Sequence, residues 1–291
     1  MRFLTSTLAA FLLGQIPAMA AEGGEHHALP MNAQPLSEWL PITNSTIMIW
    51  ISVGLIVLFC RIATHKVTLV PAGVQNFAEA IIEGLYNFLE GLLGAHLVKR
   101  CFWFLGSIFF FIITTNWLGL IPGVGTLGFF HEAEGHASLV PFLRGGNADL
   151  NMTSAMALTF AVLWFYWALT ENSIKGFFAH IFAPKGDFKG GMLLAMVPVF
   201  LFVGVLELVS IAIRPVALSF RLFGNIYGGE QTLESLMALV PKPLAFAPSL
   251  PFYFMELLVG GVQALVFTLL CSIFIKLICD HGDGHGDDHA H

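Results

Sequence analysis

The apolar stretch from residue 191 to residue 240 constrains the fold more than any other feature of this chain. As one helix it would run for about 75 Å, whereas the hydrocarbon core of a bilayer is about 30 Å thick. We therefore expect it to be tilted, broken or partly outside the hydrocarbon, with Pro198 and Pro215 as candidate kinks. Arg214 and Arg221 lie deep within it, and a charge at that depth is costly enough to make both residues functional candidates.

The composition is that of an integral membrane protein. Of 291 residues, 56% are hydrophobic and only 11% are charged, whereas soluble domains carry about 25% charged residues. No basic cluster in the sequence indicates a nucleic-acid partner. The four cysteines have no CxxC spacing and are interpreted as small apolar residues rather than as disulfide or metal-binding residues.

Apolar segments divide the chain into about five membrane-crossing helices. The predicted spans are 46–63, 101–122, 152–170, 191–240 and 252–279. Residues 76–98 mix apolar residues with Glu79, Glu83 and Glu90, which predicts an amphipathic helix at the membrane surface. A Pro-rich turn over 241–251 folds the last two long, tilted segments into an antiparallel hairpin. The predicted fold class is therefore an all-α polytopic membrane protein.

The two ends of the chain differ from the membrane domain, residues 46–279. Residues 1–20 combine a positive start at Arg2, an apolar run and an A-x-A site, which predicts a secretory signal peptide. An uncleaved short helix is the alternative. Residues 21–45 are predicted to form an external segment. Residues 280–291 are rich in His and Asp, and a solvated tail is favoured over a metal site because fixed ligand geometry is lacking.

The positions of Lys and Arg predict the orientation. Residues 61–100 and 171–190 hold most of the loop cations, whereas the intervening loops hold only Arg144 and Lys242. Because loops rich in Lys and Arg stay on the cytoplasmic side, five crossings place the N-terminus outside and the C-terminus in the cytoplasm. The signal-like start favours a bacterial inner membrane over an organelle.

The ionisable residues of the last two segments have informative spacings. Glu207, Arg214 and Arg221 are seven residues apart and share one helix face. Asn225 lies four residues beyond Arg221 and stays near that face. Glu230 lies nine beyond Arg221, about half a turn round the helix, and therefore faces elsewhere.

If the last two segments fold as an antiparallel hairpin, polar residues of the two helices lie opposite each other in pairs. Arg221 comes opposite Gln263, and Glu230 comes opposite Glu256. Glu207 lies at the other, inner end. This order of acidic site, cation and acidic site predicts two offset proton routes separated by a positive barrier.

The sequence RPVALSFRLFGNIYGGE, residues 214–230, strongly resembles the signature of subunit a of the rotary F-type ATP synthases. In that family an Arg-Leu-Phe-Gly-Asn stretch carries the essential arginine, and it matches residues 221–225 here. The resemblance continues in TTNWLGLIP around Asn116, in DLNMTSAMAL before the third span and in LLVGGVQALVFTLL around Gln263. It covers roughly residues 35–279.

The resemblance implies a non-catalytic, ion-translocating stator subunit that couples proton movement to ATP synthesis or hydrolysis. The implied partners are the ring of c subunits, the b-subunit peripheral stalk, the rest of the complex and the lipid bilayer. No cofactor and no metal is implied. Arg221 is then the essential cation between the two half-channels. The implied residues of the proton path are Glu207, Asn225, Glu230, Glu256 and Gln263, and the supporting residues are Asn116, Ser210 and Arg214.

The mechanism that the resemblance implies has a simple physical basis. Protons pass Glu230 and Glu256 and neutralise a ring carboxylate, because only a neutral carboxyl crosses lipid at low cost. After nearly a full turn the proton leaves near Glu207 as the carboxyl approaches Arg221. Arginine keeps its charge and so blocks a direct leak. Glu256 stands where some bacterial members carry His, and its pH response should differ.

Other interpretations remain open from the sequence. A haem- or quinone-binding subunit would need paired His on membrane helices, but all 11 His lie in loops, tails or segment ends. A proton-coupled secondary transporter would usually show repeated halves, and none is visible. Arg221 could be a structural residue, Glu207 only an ion-pair partner of Arg214, and Asn116 only a helix cap or cross-link. The coupling ion, H⁺ or Na⁺, is left open.

Overall fold

Six α-helices account for most of the residues that the computed structural model describes, which are 42–121, 128–133, 136–182, 191–239 and 246–279 with positions 33, 124 and 241. They are α1 (Asn44–Ala63), α2 (Val74–Leu93), α3 (Ala95–Gly119), α4 (Leu150–Phe182), α5 (Gly191–Leu239) and α6 (Phe246–Cys279). An antiparallel hairpin of β1 (Gly128–Ala133) and β2 (His136–Pro141) and a 3₁₀ turn, Gly146–Ala148, connect α3 to α4. The predicted signal peptide and polar tail lie outside the described residues, as does most of the predicted external segment.

Five of these helices are long and apolar enough to cross a membrane. Within the described residues they are Asn44–Ala63, Ala95–Gly119, Leu150–Glu171, Val197–Met237 and Pro248–Cys279. The predicted all-α polytopic membrane fold is therefore confirmed. The short β-hairpin between α3 and α4 was not expected, because the sequence had indicated only a loop there.

Helix α2 is the amphipathic helix that the sequence predicted. It buries a stripe that includes Leu85, Leu89 and Leu93, while Glu79 and Glu83 are exposed. It ends at Gly94, whose φ of 82° lies in the left-handed region that favours glycine. The chain turns at this residue and begins α3 directly, so that α2 packs against the start of α3.

Helix α5 is unbroken over 49 residues and continues through Pro198 and Pro215. Of the alternatives that the sequence left, a broken helix is therefore wrong. The length of α5, about 74 Å, exceeds the thickness of the hydrocarbon, so the helix is tilted or extends beyond the hydrocarbon. Each proline removes a single backbone donor, and the remaining hydrogen bonds of the helix carry it past both sites.

Some helices extend beyond the predicted spans. Helix α3 begins at Ala95 rather than at residue 101. The span Leu150–Glu171 agrees with the predicted 152–170, and α4 continues beyond it to Phe182. Arg100 on α3 forms an ion pair with Glu171 on α4, which explains why charged residues are accepted within these helices. Helix α6 starts within the predicted turn, at Phe246. Prolines are tolerated near a helix start because few backbone donors are needed there.

Helices α5 and α6 form the predicted antiparallel hairpin. Asn225 contacts Gln263, and Gly229 contacts Glu256, so residue numbers rise along one helix as they fall along the other. On its other side α6 packs against α3 and α4 in an apolar core. The hairpin is thus held by the core on one side and exposes the opposite side of α5.

Candidate functional site

Arg221 lies on the exposed side of α5. The next two residues, Leu222 and Phe223, are buried with exposed fractions of 0% and 5%, so they hold this turn of the helix against the bundle. Arg221 itself is exposed. Within the described residues its guanidinium forms no ion pair. A cation in an apolar segment needs a partner.

Glu207 and Arg214 form an ion pair on the same helix, and Arg214 lies two turns before Arg221. Arg214 Nη2 lies 3.2 Å from Glu207 Oε1, and the guanidinium carbon of Arg214 lies 5.0 Å from the ring centroid of Phe274 on α6. The seven-residue spacing therefore brings these two side chains into contact. Ser210 lies on the exposed side of the same stretch.

Asn225 and Gln263 link the two helices of the hairpin. Asn225 Nδ2 donates to Gln263 Oε1 over 2.6 Å. Gln263 is only 4% exposed, whereas Asn225 is exposed. Gln263 had been expected opposite Arg221, but it bonds to Asn225 one turn further along α5. It lies between the helices rather than on the exposed face.

Glu256 is buried against the backbone of α5. A Cβ atom at position 229 on α5 would overlap the carboxyl of Glu256, so Gly229 allows this side chain to approach the backbone. Glu256 Oε1 is buried and has no hydrogen-bond partner among the described residues. A cavity of about 340 Å³ opens beside it and is also lined by Asn225 and Thr232. A buried carboxyl beside a cavity that also holds an amide and a hydroxyl is suited to exchanging a proton.

Glu230 faces away from the cavity and towards the segment between the β-hairpin and α4. Arg144 Nε lies 3.9 Å from Glu230 Oε2, and the side chain of Arg144 is only 4% exposed. The sequence had placed Glu230 opposite Glu256. The two carboxylates are close enough to interact electrostatically, but the nearest cation to Glu230 comes from a segment that the sequence indicated as a loop.

Asn116 belongs to a buried amide chain that joins three parts of the fold. Asn147 Nδ2 donates to Asn116 Oδ1 over 2.6 Å, and Asn116 Nδ2 donates to the carbonyl of Gly260 over 2.9 Å. Gly260 lies one turn from both Glu256 and Gln263 on α6. Asn116 therefore cross-links helices, one of the two structural roles that the sequence had allowed.

Sequence reasoning missed Arg144 and Asn147 as members of this site. Both come from a nine-residue stretch, 141–149, in which hydropathy shows no helical pattern. One signal was available: Arg144 is the only cation in its loop, between the apolar pair Phe142 and Leu143 and two glycines. An isolated cation in an apolar setting is a candidate for burial with a carboxylate.

Known proteins match this chain over most of its length. The model of one protein family, described as ATP synthase A chain, matches residues 46–276. The chain belongs to this family. ATP synthase subunit a of Solidesulfovibrio magneticus is 32% identical over 240 residues, covering 82% of this chain and 86% of that protein. ATP synthase subunit a of Gloeobacter violaceus is 32% identical over 280 residues, covering 96% and 99%.

Membership in the ATP synthase A chain family confirms the resemblance drawn from the arginine motif. The chain is a multi-pass membrane subunit of the ATP synthase complex, with a part in ATP synthesis and proton transport. The matched range extends from the first turn of α1 almost to the end of α6. It therefore includes every residue of the site described above.

Proposed function

We propose that this subunit forms two offset proton half-channels, separated by Arg221, against a ring of c subunits. The observation that carries the proposal is the position of Arg221: its guanidinium is exposed within an apolar span, and the described residues provide no carboxylate for it. A ring carboxylate is the natural missing anion. Since arginine does not give up its proton, it would attract each carboxylate without passing protons from one side to the other.

The outer half-channel would run along the cavity between α5 and α6. Glu256 borders this cavity, and Glu230 lies within electrostatic reach of it. Asn225 and Gln263 would extend the polar lining towards Arg221, because their hydrogen bond lies one turn from it. Water in a cavity of about 340 Å³ could bridge these groups to a ring carboxylate.

The inner half-channel would pass Glu207. Its side chain is 44% exposed even though it pairs with Arg214, so it remains accessible to water and to a departing proton. Arg214 would support the site by holding Glu207 in place, and Ser210 would add a hydroxyl on the same exposed stretch. Glu207 and Glu230 are 23 residues apart on one helix, about 35 Å, which separates the two routes along the membrane.

The orientation and partners belong to the same proposal. The loop cations put the N-terminus outside and the C-terminus in the cytoplasm. In this orientation the α5–α6 connection lies on the outer side, as the outer half-channel requires. The subunit would contact the c ring through the exposed face of α5 and the b-subunit stalk elsewhere, in a bacterial inner membrane.

The test is Arg221→Ala in the assembled complex. Inverted vesicles should lose ATP-driven proton pumping and proton-driven ATP synthesis, while the soluble ATPase still co-purifies with the membrane sector. Arg221→Lys should also fail, since a compact ammonium does not replace a planar, permanently charged group.

Arg100→Gln is the matched control, because it also removes an arginine from a transmembrane segment but breaks an ion pair with Glu171 away from the site. It should keep most of the pumping. Normal coupled synthesis in either Arg221 variant would contradict the proposed function.

A further inference from the structure

The segment that follows the β-hairpin is more buried than a connecting loop should be. All residues from Arg144 to Asp149 are buried, although connections between helices normally run over the surface. Burial of an arginine is the costliest part of this arrangement, because a charged side chain is almost never fully buried unless it is paired. The burial of this segment therefore calls for a physical reason.

Glu230 supplies the partner of the buried arginine. Arg144 Nε lies 3.9 Å from Glu230 Oε2, and the side chain of Glu230 is 21% exposed. The next residue, Gly145, allows the approach: a Cβ at that position would lie 2.7 Å from Glu230 Oε1. The carboxylate therefore sits on the segment itself, with the guanidinium on one side.

Three contacts fix the segment in place. Asn147 donates to Asn116 Oδ1 on α3. Asp149 Oδ2 accepts from Ser45 Oγ on α1 over 2.9 Å. A Cβ at Gly146 would lie 2.7 Å from Thr115 on α3, so the backbone is in close contact there. Arg144 is thus held by a framework from two other helices.

The charges around Glu230 are unequal. Glu256 interacts with it electrostatically from α6, and Glu234 does so from the next turn of α5, where it is exposed to solvent. Arg144 is the cation that opposes this repulsion at Glu230.

We propose that Arg144 is a positioning residue for the outer proton site and that it holds the Glu230 carboxylate in place. This inference rests on the proposed function, because it assigns a role within the outer half-channel. Arg144 donates no proton itself. Its effect on proton flux passes through Glu230.

The experiment is a double-variant cycle in the complete complex, with ATP-driven proton pumping in inverted vesicles measured per assembled complex. Arg144→Gln should reduce pumping by about tenfold or more, because it leaves Glu230 without its cation. Arg144→Lys should recover at least about a third of the wild-type rate, since it keeps the charge. Arg100→Gln, which breaks an ion pair elsewhere, should stay near the wild-type rate.

The cycle separates a role through Glu230 from a general role in packing. Arg144→Gln combined with Glu230→Gln should pump no worse than Glu230→Gln alone, because the interaction is lost only once. If Glu230→Gln leaves no measurable flux, the cycle is run with Glu230→Asp. Multiplicative losses, or a lysine variant no better than the glutamine variant, would overturn the inference.

Assembly provides a further outcome. If Arg144→Gln fails to assemble but the double variant assembles, the unpaired carboxylate is the cause and the inference is supported. If neither assembles, the segment acts in folding and the inference fails. Arg221→Ala in the same assay tests the proposed function separately. If this variant retains coupling, the proposed half-channels are refuted. If it loses coupling and the losses in the Arg144 cycle are multiplicative, only the proposed role of Arg144 is refuted.

Discussion

Asn225 on α5 donates a 2.6 Å hydrogen bond from Nδ2 to Oε1 of Gln263 on α6. The bond lies one turn beyond Arg221, and it joins an exposed amide to a buried one. It therefore fixes the rotation of α5 relative to α6 next to the exposed guanidinium. Rotation matters here because a helix that turned by one residue would move Arg221 by about 100°.

Loss of this bond should reduce coupling without preventing assembly. Asn225→Leu and Gln263→Leu should each lower ATP-driven pumping several-fold, since either one frees the rotation of α5. The double variant should pump no worse than the more impaired of the two single variants. Asn87→Leu, an exposed asparagine on α2, is the control and should be nearly neutral. Pumping that falls multiplicatively in the double variant would mean that the two amides act separately.

Gly229→Ala should strongly impair the outer site. A Cβ there would overlap the carboxyl of Glu256, which would have to move out of its buried position, and pumping should fall by about tenfold or more. Gly228→Ala is the matched control, because a Cβ at that position meets nothing within 4 Å among the described residues. Shortening the acidic side chain with Glu256→Asp should partly restore Gly229→Ala. Equal losses for the two glycine variants would contradict a specific contact with Glu256.

The amide chain from Asn147 through Asn116 to Gly260 should contribute to stability. Asn116→Ala removes two hydrogen bonds and leaves buried partners unsatisfied, so we expect a loss of about 1–3 kcal/mol in unfolding free energy. Thermal unfolding of the purified complex in detergent measures it. Asn151→Ala serves as control, since its exposed side chain forms no hydrogen bond within the described part of the chain. An Asn116 variant as stable as the Asn151 variant would argue against a structural network.

Cross-linking tests which face of α5 meets the ring. Asn225→Cys and Phe220→Cys, both on the exposed side, should form disulfides with cysteines placed beside the ring carboxylate, in a background without the four native cysteines. Ser219, two residues before Arg221, is only 4% exposed, and its hydroxyl lies 2.9 Å from that of Ser154 on α4. Ser219→Cys should therefore pair with Ser154→Cys within the chain. Cross-linking of Ser219→Cys to the ring would mean that α5 is rotated in the complex.

Some contacts could be read directly from the sequence because a helix is a local, regular structure. The contact between Glu207 and Arg214 follows from a spacing of seven, which is close to two helical turns. The number of membrane crossings follows from hydropathy, since apolar segments of this length have few other stable environments. The isolation of Arg221 followed as well, because the chain carries no acidic residue within one turn of it.

Other contacts were decided by the tertiary structure. Apolar residues occur all round α5, so their periodicity does not set how the helix is rotated against its neighbours. The sequence therefore placed Gln263 opposite Arg221, whereas packing against α4 and α6 pairs Gln263 with Asn225 and buries Ser219.

The segment around Arg144 shows the same division most clearly. Hydropathy identified it as a connection between two spans, and this is where it lies in the chain. Its path into the bundle depends on hydrogen bonds to side chains about thirty or more residues away, on Asn116 and Ser45. The sequence by itself determined which helices cross the membrane and which charges they carry. The tertiary structure alone decided that Glu230 meets Arg144, because that contact requires a loop to fold back between helices that are distant in sequence.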